Sequence, residues 1–347
     1  MRRKGTTATG SLPLCVLAAA LLLLPQTGIA GAEQQFFRMG DLRLEGGGVI
    51  RDCVLGYRTF GKLNGSRSNA VVFPTWFMGT SADLEALIGP AKLVDPSRYF
   101  VIAVDAFGNG VSSSPSNSTT QRGALFPDIT IGDMVRAQYR LVTEKLGIRH
   151  LHAVIGISMG GMQAFEWLAA YPGSTGKTVP ITGTPRPTSY DLLLYRTVLA
   201  VLDNDGSKRA WNGKTPTVTA GILAMASTTP DHFIAGQDRS GLSSYLEKAQ
   251  RDMKEHDPMD MGCQLKAMIK HDVFANLGDP ARGAGKIAAE VLTVVSTRDL
   301  MVNPGPAREL AGFLKGRSLV LDSACGHYIL QCEMAKIAAA VSGFLEE

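Results

Sequence analysis

The segment at residues 153–171 places a serine where a nucleophile is expected. Gly156, Ser158 and Gly160 form a Gly-x-Ser-x-Gly motif between an apolar strand pattern and an apolar helix pattern. In this context the motif is a nucleophile elbow, a tight turn from which the serine hydroxyl projects. The two glycines are needed because a Cβ at either position would collide with the neighbouring strand or helix. Ser158 is therefore the candidate nucleophile for attack on an acyl carbon.

A serine hydroxyl becomes a good nucleophile only when a base takes its proton. His327 lies just after the last predicted strand and before the last predicted helix, where a serine at such an elbow finds its base. The other histidines precede the serine strand or lie on polar stretches that favour the surface: His150, His152, His232, His256 and His271. We therefore predict that His327 is the general base.

The imidazole must in turn be held by a carboxylate, and two aspartates compete for this role. Asp299 follows the predicted strand at 291–295, so the chain order is Ser, Asp, His, as the elbow motif requires. Asp322 also ends a strand, but it is too close in sequence to His327 for the usual geometry. We predict Asp299 as the acid. The alternative for Asp299 is a salt bridge with Arg298 or a helix cap.

Two backbone N–H groups are expected to bind the oxyanion that forms when the serine attacks. The N–H of Met159 lies at the positive N-terminus of the helix that follows Ser158. The second donor is expected in the loop after the strand at 69–73, and we choose Phe77 by its position there. Trp76 and Phe77 are also expected to line the acyl pocket, with core packing as the alternative.

Strands and helices alternate along the chain and must position these residues. Strands are predicted at 69–73, 99–104, 151–155, 178–181, 291–295 and 318–321, helices at 130–146 and 333–345, and an antiparallel hairpin at 36–60. This alternation favours a mostly parallel, doubly wound α/β sheet. Only helical patterns continue between about 184 and 286. They predict a helical cap insertion over the carboxyl edge of the sheet, where such sheets bind ligands.

Composition excludes several other classes of protein. The 347-residue chain has a formal net charge of +4, but no basic stripe interleaved with aromatic residues, so no nucleic-acid partner is predicted. The cysteines lack the paired Cys-x-x-Cys spacing of a zinc site. Gly108 and Gly110 follow a strand, but no third glycine completes a dinucleotide fingerprint. We therefore predict neither a metal nor an organic cofactor.

The N-terminus has the layout of a secretory signal peptide. It has a cationic start at 1–4, an apolar stretch at 12–24 and a small-x-small cleavage site at 30–32. The alternative is an uncleaved membrane anchor, but the apolar stretch is short for a span of about 20 residues. We expect a signal peptide at 1–32, a catalytic domain at 33–347 without a stable membrane span, and export to the periplasm or beyond.

Signal cleavage would remove Cys15 and leave Cys53, Cys263, Cys325 and Cys332. In an exported protein, four thiols permit three complete pairings, and the sequence does not choose between them. Cys325 and Cys332 flank His327, so a local bridge there would make a catalytic loop more rigid. The alternative is a set of four buried thiols.

These residues lie in segments that resemble the homoserine O-acetyltransferase-like branch of the α/β-hydrolase fold. The resemblance extends from about residue 36 to the C-terminus, and it is most specific at 55–64, 133–138 and 158–167. It implies an α/β-hydrolase fold, and the triad and oxyanion-hole residues that it implies are those identified above. Because related transferases are often dimers, the resemblance also suggests a homodimer.

Two features separate this chain from the members of that branch that acetylate homoserine. Those enzymes typically follow the catalytic histidine with an aspartate that can bind the substrate ammonium, whereas Tyr328 has this position here and is expected to line the pocket. Acetyl-CoA and homoserine are cytosolic, so an exported enzyme would lack its donor. We therefore expect an exported carboxylic-ester hydrolase that acts on a small-molecule ester, with a short acyl group, through an acyl-Ser158 intermediate. The alternatives are an O-acyltransferase that passes an acyl group from acyl-CoA to an alcohol, and a binding protein that keeps the fold without turnover.

Overall fold

The computed structural model describes residues 32–203, 211–278 and 280–347. The predicted signal peptide, with Cys15, lies outside these residues except for Ala32. The strands of the described chain are β1 (Gln35–Arg43), β2 (Val49–Phe60), β3 (Ala70–Pro74), β4 (Phe100–Val104), β5 (Leu151–Ile157), β6 (Thr175–Ile181), β7 (Glu290–Ser296) and β8 (Arg317–Leu321). They form one eight-stranded sheet in the order β1-β2-β4-β3-β5-β6-β7-β8.

The sheet is antiparallel only at one edge. β1 and β2 form an antiparallel hairpin, and β2 also pairs with β4 in antiparallel orientation. All the remaining neighbours, from β4 to β8, are parallel. Parallel neighbours need crossover connections, which the helices provide. The predicted mostly parallel sheet with a hairpin at its edge is therefore confirmed.

The helices of the described chain are α1 (Ile131–Arg140), α2 (Met159–Ala170), α3 (Ser189–Asp203), α4 (Thr215–Ser227), α5 (Pro230–Gly236), α6 (Leu242–Met253), α7 (Pro258–Lys270), α8 (Val273–Leu277), α9 (Pro280–Ala284), α10 (Gly305–Phe313) and α11 (Ile329–Glu346). Helices α3 to α9 follow one another between β6 and β7, and no described residue between these two strands belongs to another strand. They occupy the region of the predicted insertion at 184–286, and we call them the cap.

Both faces of the sheet are covered, which explains why its central strands are apolar throughout. In β3, Val72 belongs to the core on the side of α1 and α2, together with Trp167. Its neighbour Phe73 belongs to the core on the opposite side, together with Val341 of α11. The alternation of side chains along a strand thus feeds two separate cores.

The two predicted helices differ from the structure in their detail. The segment predicted at 130–146 consists of α1 and a π-helical turn at Leu141–Lys145. Helix α11 begins at Ile329, before the predicted start at residue 333. Glu333 lies at a kink inside the helix, with φ of −119°. The segment Gly326–Glu346 could cross a membrane by length and composition alone, with a mean hydropathy of 1.2. However, Ile337 and Val341 of α11 are buried in a core of the sheet.

Candidate active site

Strand β5 carries Ser158 to the carboxyl end of the sheet. Ser158 follows β5 directly and has a φ of 55° and a ψ of −120°. A positive φ is unfavourable for a residue with a side chain, so the surrounding structure must hold it. The Ser158 N–H donates to the carbonyl oxygen of Ile181 at 2.9 Å, and the Met162 N–H donates to the Ser158 carbonyl oxygen at 3.0 Å. These bonds fix the serine between β6 and the first turn of α2.

The glycines around Ser158 allow backbone segments to approach closely. A Cβ on Gly156 would overlap the carbonyl oxygen of Gly160, and a Cβ on Gly160 would lie 2.6 Å from the carbonyl oxygen of Pro74. A Cβ on Gly161 would lie 2.8 Å from the Cα of Gly183. Real Cβ atoms do not approach other heavy atoms this closely. The turn, α2 and the neighbouring strands can therefore pack together only with glycine at these positions.

The structure brings Ser158, His327 and Asp299 together. The Ser158 Oγ lies 2.9 Å from the His327 Nε2, although the two residues are 169 positions apart in sequence. The His327 Nδ1 lies 2.8 Å from Oδ2 of Asp299. All three residues are buried, with 6 to 7% of their surface exposed. With Nδ1–H donating to the carboxylate, Nε2 is free to accept the serine proton, which is the tautomer that a general base needs.

Backbone N–H groups hold the carboxylate of Asp299 in place. Its Oδ1 accepts hydrogen bonds from the N–H of Met301 at 2.9 Å and from the N–H of Val302 at 2.8 Å. These bonds leave Oδ2 directed at His327. The local turn after β7 therefore fixes the orientation of the acid and, through it, that of the imidazole.

The competing acid, Asp322, makes a different contact. Its carboxylate pairs with Arg298 at 2.6 Å, and both side chains are exposed to solvent. Arg298, the alternative partner considered for Asp299, is thus engaged with Asp322 instead. The geometry separates the two aspartates: one contacts the histidine, and the other forms a surface ion pair.

The two predicted oxyanion donors belong to different parts of the fold. Met159 is the first residue of α2, and Phe77 lies in the loop after β3. Among the described residues, no group accepts a hydrogen bond from the backbone N–H of either residue. The next N–H of the loop, that of Met78, is occupied, because it donates to Oε1 of Gln264 at 2.8 Å. The N–H groups of Met159 and Phe77 therefore remain available to a ligand.

A cavity of about 100 Å³ opens onto Ser158 and His327. Most of its lining is apolar and comes from the loop after β3, from the cap and from the segment after the histidine. These lining residues include Trp76, Phe77, Met78, Leu223, Ala224, Met253 and Tyr328. The two residues predicted to line the pocket, Trp76 and Tyr328, both lie in this wall. A small, mostly apolar cavity next to a serine is a candidate substrate site.

Sequence reasoning missed the cap residues of this wall and misplaced a histidine. His256 was expected at the surface, but it is half-buried and lines the cavity, and burial lowers its pKa. That expectation is wrong because the end of α6 and the start of α7 pack against the loop after β3, which places the connection between them at the cavity. The apolar spacing of α6 marks Met253 as an inward residue, but the spacing alone cannot identify the surface that it covers.

His271 was also expected at the surface, and this expectation is wrong as well. It is buried at the end of α7, with its Nδ1 3.6 Å from Oε2 of Glu166 on α2. Burial lowers the pKa of His271 to about 4 and raises the pKa of Glu166 to about 7. Burial thus disfavours the charged form of both groups. The pair joins the end of α7 to the helix that carries the elbow.

A disulfide joins Cys325 and Cys332 and flanks His327. Cys53 and Cys263 are free thiols, and burial raises the pKa of each well above its usual value. In the described part of the chain, three metal-ligating side chains come within 4.8 Å of one another at His232, Cys325 and Cys332. Both sulfurs there belong to the disulfide, so this cluster does not offer three ligands for a metal.

The fold and the site together define a class of protein. A mostly parallel sheet carries a serine elbow after β5, an acid after β7 and a histidine after β8, in the order typical of an α/β hydrolase. A family model described as the alpha/beta hydrolase fold matches residues 71–331, and the chain belongs to that family.

Curated relatives include both esterases and acyltransferases. A probable esterase of Corynebacterium glutamicum is 41% identical, over 83% of this chain and 88% of its own length. An ethyl acetate hydrolase of Pseudomonas veronii is 31% identical, over 76% of this chain and 80% of its own length. A homoserine O-acetyltransferase of Pelobacter propionicus is 38% identical, over 90% and 96% of the two chains. The resemblance to the homoserine O-acetyltransferase-like branch is therefore confirmed.

Solved structures agree with this assignment. An acetylester hydrolase from Corynebacterium glutamicum superposes with a TM-score of 0.84 and 26% identity, over 91% of this chain and 96% of its own. Family membership and these relatives show that the protein is an enzyme of the hydrolase and acyltransferase type.

Proposed function

We propose that the protein hydrolyses carboxylic esters with a short acyl group through an acyl-Ser158 intermediate. The observation that carries this proposal is the continuous hydrogen-bond chain from Ser158 through His327 to Asp299, which faces a small apolar cavity. A proton can leave the serine along this chain at the place where an acyl carbon would lie. The mostly apolar lining of the cavity favours such chemistry, because it limits the access of water.

In the first half of the reaction, Ser158 Oγ attacks the carbonyl carbon of the ester while its proton passes to His327 Nε2. The carbonyl electron pair moves onto the oxygen, and the N–H groups of Met159 and Phe77 stabilise the negative charge. Asp299 stabilises the imidazolium. The tetrahedral intermediate then collapses, the bond to the alcohol oxygen breaks, and the alcohol leaves with the proton from His327.

In the second half, water replaces the alcohol. His327 takes a proton from the water molecule as the water oxygen attacks the acyl-serine carbon. The same two N–H groups hold the second oxyanion. Collapse breaks the bond to Ser158 Oγ, returns the proton to the serine and releases the carboxylic acid. Each residue thus serves both halves of the cycle.

Three observations support a short acyl group and an uncharged substrate. The cavity volume is about 100 Å³. The position after the histidine is Tyr328, which offers no negative charge to a substrate ammonium. The cavity wall includes one carboxylate among the described residues, that of Asp83, and it accepts hydrogen bonds from the N–H and the hydroxyl of Thr80. Relatives described as an ethyl acetate hydrolase and an acetylester hydrolase fit the same substrate class.

The second candidate is an O-acyltransferase that uses the same acyl-Ser158 intermediate. The similarity to a homoserine O-acetyltransferase over 90% of the chain favours it. An alcohol would then take the place of water in the second half-reaction. A rate of O-acetylhomoserine formation from acetyl-CoA and homoserine well above the rate of ester cleavage would establish transfer and reject hydrolysis.

The direct test is ester cleavage by the purified protein without its first 32 residues. We expect it to release p-nitrophenol from p-nitrophenyl acetate and acetic acid from ethyl acetate. A Ser158→Ala variant should lose activity by about 10⁴-fold or more, since the nucleophile is gone. Equal activity of this variant and the wild type would refute the role of Ser158.

We also propose that the protein is exported after cleavage near Ala32. The cationic, apolar and small-residue segments of the N-terminus support this. A disulfide at Cys325 and Cys332 supports it too, because such bonds persist in oxidising compartments. N-terminal sequencing of the protein from fractionated cells tests the proposal: a mature chain that starts near Glu33 is expected, and an intact Met1 in the cytosolic fraction would reject it.

A further inference from the structure

Two buried glutamines form hydrogen bonds with the backbone of the loop that carries Phe77. Gln163 lies on α2, in the helix that begins at the elbow, and Gln264 lies on α7 in the cap; both are fully buried. We propose that these two side chains are positioning residues that set the place of the Phe77 N–H relative to Ser158. The inference rests on the proposed function, since it concerns the oxyanion of that reaction.

The amide of Gln163 joins the two sides of the predicted oxyanion hole. Its Nε2 donates to the carbonyl oxygen of Thr75 at 3.0 Å and to the carbonyl oxygen of Met159 at 3.2 Å. Thr75 precedes Phe77 by two positions, and Met159 is the residue that supplies the other donor. One planar group therefore ties the loop to the start of α2, and with it the spacing of the two N–H groups.

A chain of buried side chains fixes which way this amide points. The Trp167 indole Nε1–H can only donate, and it donates to Oε1 of Gln138 at 2.8 Å. The Nε2 of Gln138 must then face Gln163, where it donates to Oε1 at 2.6 Å. Only the Nε2 of Gln163 remains for the two carbonyl oxygens. The network admits one orientation, in which every amide group has a partner.

Gln264, on α7 of the cap, also forms a hydrogen bond with the backbone of this loop. Its Oε1 accepts the N–H of Met78, the residue after Phe77, at 2.8 Å, and its Nε2 donates to the carbonyl oxygen of Phe107 at 3.0 Å. Met78 has a φ of 64°, a conformation that a residue with a side chain adopts only when its surroundings hold it. Through Gln264, the cap therefore contacts the backbone next to Phe77, the predicted oxyanion donor.

Oxyanion donors act in the transition state, where their exact placement matters most. A donor must lie about 2.7–3.1 Å from the position of the oxyanion, and removal of one donor costs about 10²–10³ in kcat in other serine hydrolases. Loss of the hydrogen bonds of one glutamine displaces the Phe77 N–H without removing it. We therefore expect kcat to fall about 10- to 100-fold while KM changes little.

The experiment compares Gln264→Met with Gln250→Met. Methionine has a similar length but cannot make either hydrogen bond, and Gln250 is a cap glutamine on α6 whose side chain makes no hydrogen bond to described residues of the loop. The readouts are kcat and KM for p-nitrophenyl acetate, and the affinity for trifluoroacetone, to which Ser158 adds to form a stable tetrahedral oxyanion. Gln264→Met should lower kcat and the affinity for trifluoroacetone by the same factor, with KM within about twofold of the wild type. Gln250→Met should behave like the wild type.

Further variants separate positioning from simple loss of structure. Gln264→Glu keeps an acceptor for the Met78 N–H, and its carboxyl group, when protonated, keeps a donor for the Phe107 carbonyl oxygen, so it should recover part of the lost kcat. Gln163→Met should repeat the split between kcat and KM, and it serves as the test if Gln264→Met does not fold.

The proposal is overturned if kcat per mole of folded protein is unchanged in the methionine variants, or if only KM or thermal stability changes. A wild type that cleaves no ester would instead refute the proposed function. In that case the trifluoroacetone comparison still tests the positions of the donors.

Discussion

Asp299 and Asp322 follow neighbouring strands, but only Asp299 contacts the histidine. Asp299 lies 28 residues before His327, far enough for the chain to run through α10 and β8 and return to the site. Asp322 lies in the short connection between β8 and the histidine and pairs with Arg298 at the surface. Chain order and spacing were therefore sufficient to predict which aspartate contacts His327, because a connection of a few residues does not place Asp322 and His327 side by side.

At the residue scale, Asp299→Asn should lower kcat by about 10³–10⁴, because an amide favours the wrong imidazole tautomer. The measurement is steady-state hydrolysis of p-nitrophenyl acetate, with the fold checked by circular dichroism. The control is Asp322→Asn, which breaks an exposed ion pair and should leave kcat within about twofold of the wild type. The reverse ranking of the two variants would contradict the acid assignment.

At the scale of elements, the disulfide ties the turn that carries His327 to the first turn of α11. The two Cα atoms are 6.1 Å apart, and the cysteines are separated by seven positions. The sequence favoured a local bridge only as one of two alternatives, because cysteine spacing does not reveal whether a thiol is buried. Cys53 shows the difficulty, since it lies in β2 and is fully buried as a free thiol.

We expect the double substitution Cys325→Ser/Cys332→Ser to lower the free energy of unfolding by about 2 kcal/mol, as for a short closed loop. It should also lower kcat several-fold, because His327 loses a constraint on its backbone. Urea denaturation, followed by tryptophan fluorescence, measures the first effect. Treatment of the wild type with dithiothreitol should reproduce the loss of stability, while the double variant should not respond to dithiothreitol. A variant as stable as the oxidised wild type would contradict a stabilising role of the bridge.

At the scale of the whole molecule, the substrate cavity lies between the sheet and the cap. A second cavity adjoins it and shares Ala224, Ser227 and Tyr328 of its wall. Its far side includes Phe233 and Tyr245, whose rings pack edge to face with centroids 5.0 Å apart. Ala224 therefore lies where the two cavities meet. On the function proposed above, we assign the second cavity to the alcohol part of an ester.

Ala224→Leu should fill the junction of the two cavities. We expect kcat/KM for hexyl acetate to fall at least about 10-fold, while kcat/KM for ethyl acetate stays within about threefold of the wild type. The control is Met225→Leu, because Met225 is 72% exposed on the same helix and should not affect either ester. Equal losses for both esters would show that the junction does not select the alcohol.

The sequence predicted the sheet and the meeting of Ser158, His327 and Asp299, because these follow from local patterns and from the order of residues along the chain. The second oxyanion donor stays a prediction. It did not predict that Leu223 and Met253 line the cavity, or that Gln264 forms a hydrogen bond with the N–H of Met78. Gln264 and Met78 lie 186 positions apart. Their meeting depends on how the cap docks on the sheet, and helical periodicity contains no information about that partner.

The order of the triad along the chain also has a consequence for biosynthesis. The ribosome completes the elbow at Ser158 long before it adds His327, which stands 169 positions later. On the proposed mechanism, an unfinished polypeptide therefore holds a serine hydroxyl without its base. On that mechanism, activity requires the last stretch of translation, and we expect a product that is truncated before His327 to be inactive.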